Sequence, residues 1–292
     1  MSFDHHTSDS SARSPLDRFG FSHLLGATVL LTAATILLGV AAKATGAGLA
    51  CDANWPLCDG GLLNLFPANF PSFFEWIHRV VAMVAGFFIV GTAIAAWRST
   101  AIGRGVTYAI TAGMVLTPIQ VYLGRETVLV YDLTILNFHF WTAVVIFVLF
   151  VGSAVAVWAP GLTTTHVAGA LGLGAAMIPI HVTLSPLFIG TYTPVIQTLQ
   201  YAATLVLLSA AILAVMIAPR RVDGSAVTGL VAVTAVLAFL TVLFGRHAVM
   251  TYLPALDLVY LLTSALLFVV MIVGAVTVRR RSGTTRGKRA LS

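Results

Sequence analysis

Charge is what this chain has least of. Asp, Glu, Lys and Arg make up only 9% of its 292 residues, where a soluble domain carries roughly a quarter, so a fold solvated by water on all sides is excluded. Cysteine is nearly absent as well. Cys51 and Cys58 are the whole complement, with six residues between them in one stretch, too few for a disulfide-stapled scaffold. That stretch supplies no further ligands for a two-thiolate metal site. Strict apolar–polar alternation is missing too, which argues against the strands of a membrane barrel.

What remains is apolar sequence in long runs. Hydrophobic residues account for 59% of the chain and the mean hydropathy is +0.97. Runs long enough for a helix to cross a hydrocarbon core, about 20 residues, fall near 22–42, 75–97, 105–123 and 134–158, then near 165–187, 194–218, 226–244 and 255–277. An all-α integral membrane protein of eight transmembrane helices follows, because a helix satisfies its backbone polar groups within its own segment. The first run follows a polar segment containing His5 and His6 and is too long for a signal-peptide core. It reads as a retained helix.

The basic residues are unevenly distributed. If the N-terminus is cytoplasmic, that side receives Arg13, Arg18, Arg98, Arg104, Arg220 and Arg221, together with Arg279, Arg280, Arg281, Arg286, Lys288 and Arg289 of the tail. The opposite side receives Lys43, Arg79, Arg125 and Arg246. The positive-inside bias then places both termini in the cytoplasm of a cell whose membrane the chain crosses repeatedly. The formal charge of +6 becomes a matter of topology and of a tail lying on anionic lipid, and no nucleic-acid partner is implied.

The second half echoes the first. Leu123-Gly124-Arg125-Glu126 through Tyr131 aligns with Phe244-Gly245-Arg246-His247 through Tyr252 at an offset of 121, which also carries Thr142 onto Thr263. Trp76-Ile77-His78 aligns with Thr198-Leu199-Gln200 at an offset of 122. With four helices between them the copies enter the membrane in the same sense, a parallel duplication. The expected organisation is a cytoplasmic segment 1–21, a four-helix bundle 22–158, a second bundle 159–278 and a basic cytoplasmic tail 279–292. Gly86 and Gly91 offer small surfaces for close packing within a subunit or in a homo-oligomer.

Ionisable residues near a span are costly and therefore candidates for function. Glu75 and His78, three apart on one helix, share a face, and Arg79 lies one turn beyond Glu75. His139 falls at a similar depth on an antiparallel helix of the same bundle. Two histidines so placed match the axial ligation of a haem iron, although a lone helix-end His is more often interfacial and Glu75 with Arg79 could be a simple ion pair. Arg125 and Arg246 close their helices on the outer side, where they could meet haem propionates or snorkel to the interface. His23 and His166 read as interfacial, His247 as a loop residue, and His181 as a neutral, hydrogen-bonded histidine within the fifth helix.

Taken together, Ala44-Thr-Gly-Ala-Gly-Leu-Ala-Cys51, Trp55-Pro-Leu-Cys58-Asp-Gly and Glu75-Trp-Ile-His78-Arg79, with Leu-Gly-Arg before His139, resemble the heme A synthase family. These are membrane enzymes that oxidise a ring methyl of heme O to the formyl group of heme A for terminal oxidase biogenesis. The resemblance implies that His78 and His139 bracket the iron of the substrate haem, that Glu75 assists the oxidation, and that Arg79 and Arg125 help to bind the haem. It also implies a disulfide between Cys51 and Cys58. Heme O synthase, oxidase assembly proteins and an unknown electron acceptor are the implied partners, beside the lipid bilayer. The second half departs from the pattern: where duplicated members hold a cofactor heme b between two histidines, the repeat places Gln200 and Tyr260, which leaves that site doubtful. A non-catalytic haem carrier or oxidase assembly factor is the alternative. A transporter is disfavoured because the charged residues gather at the outer boundary instead of the midplane.

Overall fold

A computed structural model describes residues 20–47, 55, 70–130, 132–222, 224–250 and 253–290, without the side chains of 70, 71 and 282–290. Eight long helices account for nearly all of these: α1 (Phe21–Ala44), α2 (Phe70–Arg98), α3 (Arg104–Leu129), α4 (Leu133–Trp158), α5 (Thr164–Thr183), α6 (Pro194–Arg221), α7 (Ser225–Met250) and α8 (Pro254–Ala290). Each is long and apolar enough to cross a membrane, and there is no strand among the described residues. Cys51 and Cys58 lie outside the described residues.

Several boundaries differ from the apolar runs, for local reasons. α2 begins at Phe70, with Pro71 in its first turn, where a missing N–H costs nothing. Glu75 and His78 therefore sit inside the helix. α5 stops at Thr183 because Pro186 disfavours the helical conformation for the residue before it. α3 and α7 continue past 123 and 244 to Leu129 and Met250, so Arg125 and Arg246 belong to helices that they do not end. His247, expected in a loop, lies on the last turns of α7 and is exposed. At the head of α4, Asp132 accepts from Thr134 N–H at 2.7 Å and Ile135 N–H at 3.0 Å, fixing where the helix that carries His139 starts. Hydrogen bonds from the backbone of Ile135 and Thr134 hold the Asp132 carboxyl below its ordinary range. His166 completes a capping box with Thr163 at the start of α5.

α1 to α4 pack as one group of helices, α5 to α8 as another, and α6 touches both α1 and α4. The core does not respect the division. Phe147, Val151 and Val155 of α4 join Val167 and Leu171 of α5, Leu207 of α6, Val231 of α7 and Met271 of α8 in one buried cluster. α6 is the most enclosed span, with 61% of its most apolar window buried. Outward-facing Leu30, Phe87, Ile94, Leu262 and Leu266 are left exposed, as lipid-facing positions should be. Polar contacts between helices are few. The clearest joins Thr28 of α1 and Thr92 of α2, whose hydroxyls meet at 2.7 Å in a buried position.

Two predictions follow from this packing. The coupling between Thr28→Val and Thr92→Val in a double-mutant cycle is expected to be about 0.6 kcal/mol, the average for buried polar pairs in membranes, as read from unfolding in mixed micelles. Because the Asp132 carboxyl is depressed in the folded protein, its stabilisation is complete above the unfolded value of about 4 and is lost as pH falls through the lower folded value. Asp132→Asn is expected to abolish that acid-side dependence in thermal unfolding.

Candidate functional site

The first helical group encloses a cavity of about 710 Å³ with a predominantly apolar lining. His78 from α2 and His139 from α4 both face it, as do Glu75, Arg79 and Gln120. α2 and α4, two spans apart, run in the same direction, not antiparallel as expected from the sequence, and this brings residues near the start of each helix to the same end of the bundle. A cavity of this size lies within the range of about 300–1,000 Å³ typical of small-molecule and cofactor sites.

Each histidine is seated against a glycine. A Cβ placed on Gly39 of α1 would stand 2.9 Å from Cε1 of His78, and one on Gly124 of α3 would stand 3.0 Å from Cε1 of His139. Only a residue without a side chain allows the rings this close to the neighbouring backbone. His139 Nε2 lies 3.4 Å from Gln120 Nε2. The Nδ1 atoms of both histidines are buried with no hydrogen-bond partner among the described residues, so each ring retains unused polar capacity inside an apolar space. Buried polar atoms left this way call for a ligand or a water. Glu75 is itself buried and accepts from Arg79 Nε at 2.9 Å. This is the one-turn pair anticipated from the spacing. The residues present fit a planar, iron-bearing macrocycle: two facing imidazoles, a volume of the right order and a carboxylate one turn from one ligand.

Arg125 is placed differently from the sequence expectation. It pairs with Glu126, its side chain is substantially exposed, and it is not among the residues lining the cavity. Its counterpart in the repeat takes that position instead. Arg246 of α7 lines the cavity together with Gln197 and Tyr201 of α6, while α1 contributes Lys43. Sequence reasoning missed Gln197 and Tyr201 because they belong to the half that lacks histidine ligands. For Arg246 the visible signal was the 121-residue repeat of Gly-Arg, which does not say which bundle an arginine faces.

Around His181 the described residues of the second helical group leave little space. The cavity beside His181, Gln200, Thr204 and Gly245 measures about 10 Å³, room for at most about one water and far short of a porphyrin. Side chains fill it. His181 Nδ1 lies 2.9 Å from Thr204 Oγ1, and its ring meets Tyr260 edge-on at 5.7 Å. Gln200 donates to the His181 carbonyl at 3.1 Å and accepts from the Tyr192 hydroxyl. Burial raises the Tyr192 phenol above its ordinary range, which keeps it a donor. A Cβ on Gly245 would approach Tyr260 Cε2 at 3.1 Å, so Gly245 and Tyr260 meet as Gly124 and His139 do, 121 residues earlier. Gln200 and Tyr260 do not fit a haem iron, and no chemistry is assigned to a haem at this position.

Comparison with known proteins points the same way as the cavity. Residues 22–202 match the cytochrome oxidase assembly protein family. The chain is 35% identical over 107 residues to a protoheme IX farnesyltransferase of Halobacterium salinarum, covering 37% of this chain and 22% of that protein. Against protoheme IX farnesyltransferase 1 of Natronomonas pharaonis the identity is 36% over 137 residues, 46% of this chain and 28% of that one. A heme A synthase of Bacillus licheniformis is 30% identical over 109 residues, 36% of this chain and 35% of that protein. The chain thus spans well under half the length of these curated relatives.

The glycine contacts generate a prediction. Gly39→Ala and Gly124→Ala, which force an imidazole to move, are expected to weaken binding of added haemin by roughly tenfold or more, by analogy with overpacking costs of about 1–3 kcal/mol. Gly91→Ala, where a Cβ meets nothing within 4 Å, is expected to bind as the wild type does in the same absorbance titration.

Proposed function

Because the chain belongs to the cytochrome oxidase assembly protein family, we propose that it acts as a heme A synthase-like oxidoreductase, oxidising a ring methyl of heme O to the formyl group of heme A. The observation that carries this reading is the pair His78 and His139, from the parallel helices α2 and α4, facing one cavity of about 710 Å³ beside the buried carboxylate of Glu75. The names of its relatives, heme A synthase and protoheme IX farnesyltransferase, favour a haem as the molecule handled.

In this reading His78 and His139 hold the porphyrin from its two faces, and the glycines behind them keep the rings in line. The haem, when bound, supplies the redox-active iron and the methyl group to be oxidised. Glu75 takes a proton released at the reacting carbon or balances positive charge there, and its ion pair with Arg79 fixes where the carboxylate points. Arg79 also helps to hold the bound haem. One water supplies the formyl oxygen, four protons are released, and an electron acceptor outside this chain takes the four electrons. Cys51 and Cys58, in the stretch between α1 and α2, form a disulfide. Heme O synthase delivers the substrate, and oxidase assembly proteins receive the product. The positive-inside distribution of arginine sets both termini in the cytoplasm, which leaves the cavity towards the outer face of the cell membrane.

Co-expression with a heme O synthase in a host without heme A tests the proposal. Heme A is expected in haems extracted with the wild type and absent with His78→Ala or His139→Ala. Glu75→Gln is expected to keep bound haem while lowering conversion by about 10²–10⁴-fold, the usual worth of a proton-transferring group. Recovery of unmodified haem alone from the wild type, with an electron acceptor supplied, replaces the enzyme with a haem carrier.

A further inference from the structure

Arg246 stands where the two helical groups meet, and its surroundings do not balance its charge. Only 7% of the residue is exposed. Nη1 donates to the Tyr201 hydroxyl at 3.0 Å, Nε donates to Asn137 Oδ1 at 3.3 Å, and the guanidinium carbon lies 4.7 Å from the centre of the Phe140 ring. All three partners are neutral. Nη2 is buried with no hydrogen-bond partner among the described residues. Lys43 of α1 borders the same cavity.

The described residues contain two salt bridges, Glu75 with Arg79 and Glu126 with Arg125. Neither involves Lys43 or Arg246. A structural role for Arg246, as a stacked and hydrogen-bonded tie between α4, α6 and α7, accounts for Nε, Nη1 and the ring contact. It leaves Nη2 and the charge unexplained, and a buried charge without a counter-charge is among the most costly arrangements a protein can hold. Among the described residues lining the cavity that Arg246 shares with Lys43, the one carboxylate is Glu75, which is paired with Arg79, so the missing anion belongs to whatever fills it.

We infer that Arg246 and Lys43 form a carboxylate clamp that receives the acidic edge of the ligand held between His78 and His139. Resting on the haem reading, this assigns the propionate end of the porphyrin to residues from opposite halves of the chain. A guanidinium suits the task because its fork of donors matches a carboxylate, and Tyr201, Asn137 and Phe140 already fix its plane. Position 246 lies beyond residues 22–202, which match the family. Thus the second helical group, with no room for a haem around His181, completes the site in the first.

Full-length protein purified without haem in neutral detergent is titrated with haemin and with haemin dimethyl ester, which keeps the ring and iron but cannot present a carboxylate. The wild type is expected to prefer haemin roughly ten- to hundredfold, the worth of a charge-assisted hydrogen bond. Arg246→Gln is expected to lose most of that preference while binding the ester as the wild type does, with an unchanged absorption spectrum for bound haem. Arg246→Lys restores part of it. A wild-type preference retained in Arg246→Gln overturns the clamp, as does a wild type that binds acid and ester alike. Should Arg246→Gln fail to fold, Lys43→Gln reads the same preference, and an unaltered ratio there overturns the clamp equally. A wild type that binds neither porphyrin overturns the haem reading and the clamp together, which separates that failure from failure of the clamp alone.

Discussion

A polar atom inside hydrocarbon must find its partner within the protein, and that constraint governs this chain more than any other. It makes the spans helical, and it decides how threonine can be carried so freely. Thr28, Thr32, Thr35, Thr111 and Thr117 each donate to the carbonyl one turn back, so their hydroxyls are satisfied without any second helix. Other polar side chains are buried between helices and held by named partners there, as with Thr92 against Thr28 and Arg246 against Tyr201 and Asn137. The atoms that escape this rule fall in two places: Nδ1 of His78, Nδ1 of His139 and Nη2 of Arg246 belong to residues bordering the large cavity, whereas Nε2 of His181, Oγ of Ser185 and the hydroxyl of Tyr260 lie in the second half.

The two halves resolve the same constraint in opposite ways. In the first, small residues hold the space open: Gly39 and Gly124 let imidazoles lie against backbone, and the volume between remains. In the second, the corresponding region is closed by its own side chains. Gln200, Thr204, His181 and Tyr260 bond or stack with one another, and about 10 Å³ is left. Exchanging an imidazole for an amide at 200 and a phenol at 260 does more than delete two candidate ligands. It brings in an amide that bonds the His181 carbonyl and the Tyr192 hydroxyl and a phenol ring that meets the His181 imidazole edge-on.

Most of the architecture was legible in the sequence because hydropathy and span length are strong signals in a membrane protein. The placing of eight helices, the sharing of a face by Glu75 and His78, and the matched depth of His139 all come from spacing. Helix ends were less legible. Pro186 cut α5 short and α3 ran on through Arg125, decisions made by a turn or two of local backbone that an averaged apolar run smooths away. Least legible was the direction a side chain takes. Arg125 and Arg246 have the same neighbours in sequence, Leu-Gly-Arg-Glu and Phe-Gly-Arg-His, yet one meets an adjacent carboxylate and the other turns into the junction of the bundles. The difference of Glu126 against His247 was on the page. An acidic neighbour captures the arginine, and an exposed histidine does not.

That single difference bears on why a half without a haem-sized space around His181 is retained. A four-helix group with a haem-sized cavity exposes one flank, and here α6 covers it by packing on α1 and α4. Tyr201, on α6, stacks edge-on against Phe140 at 5.8 Å while its hydroxyl accepts from Arg246, so one residue joins the wall of the cavity to the arginine behind it. Phe140, next to His139 in sequence, touches both. Phe140 therefore ties α6 and α7 to α4 and sits one peptide unit from His139. With the packing of α6 on α1 and α4, the second half forms part of the wall of the cavity in the first.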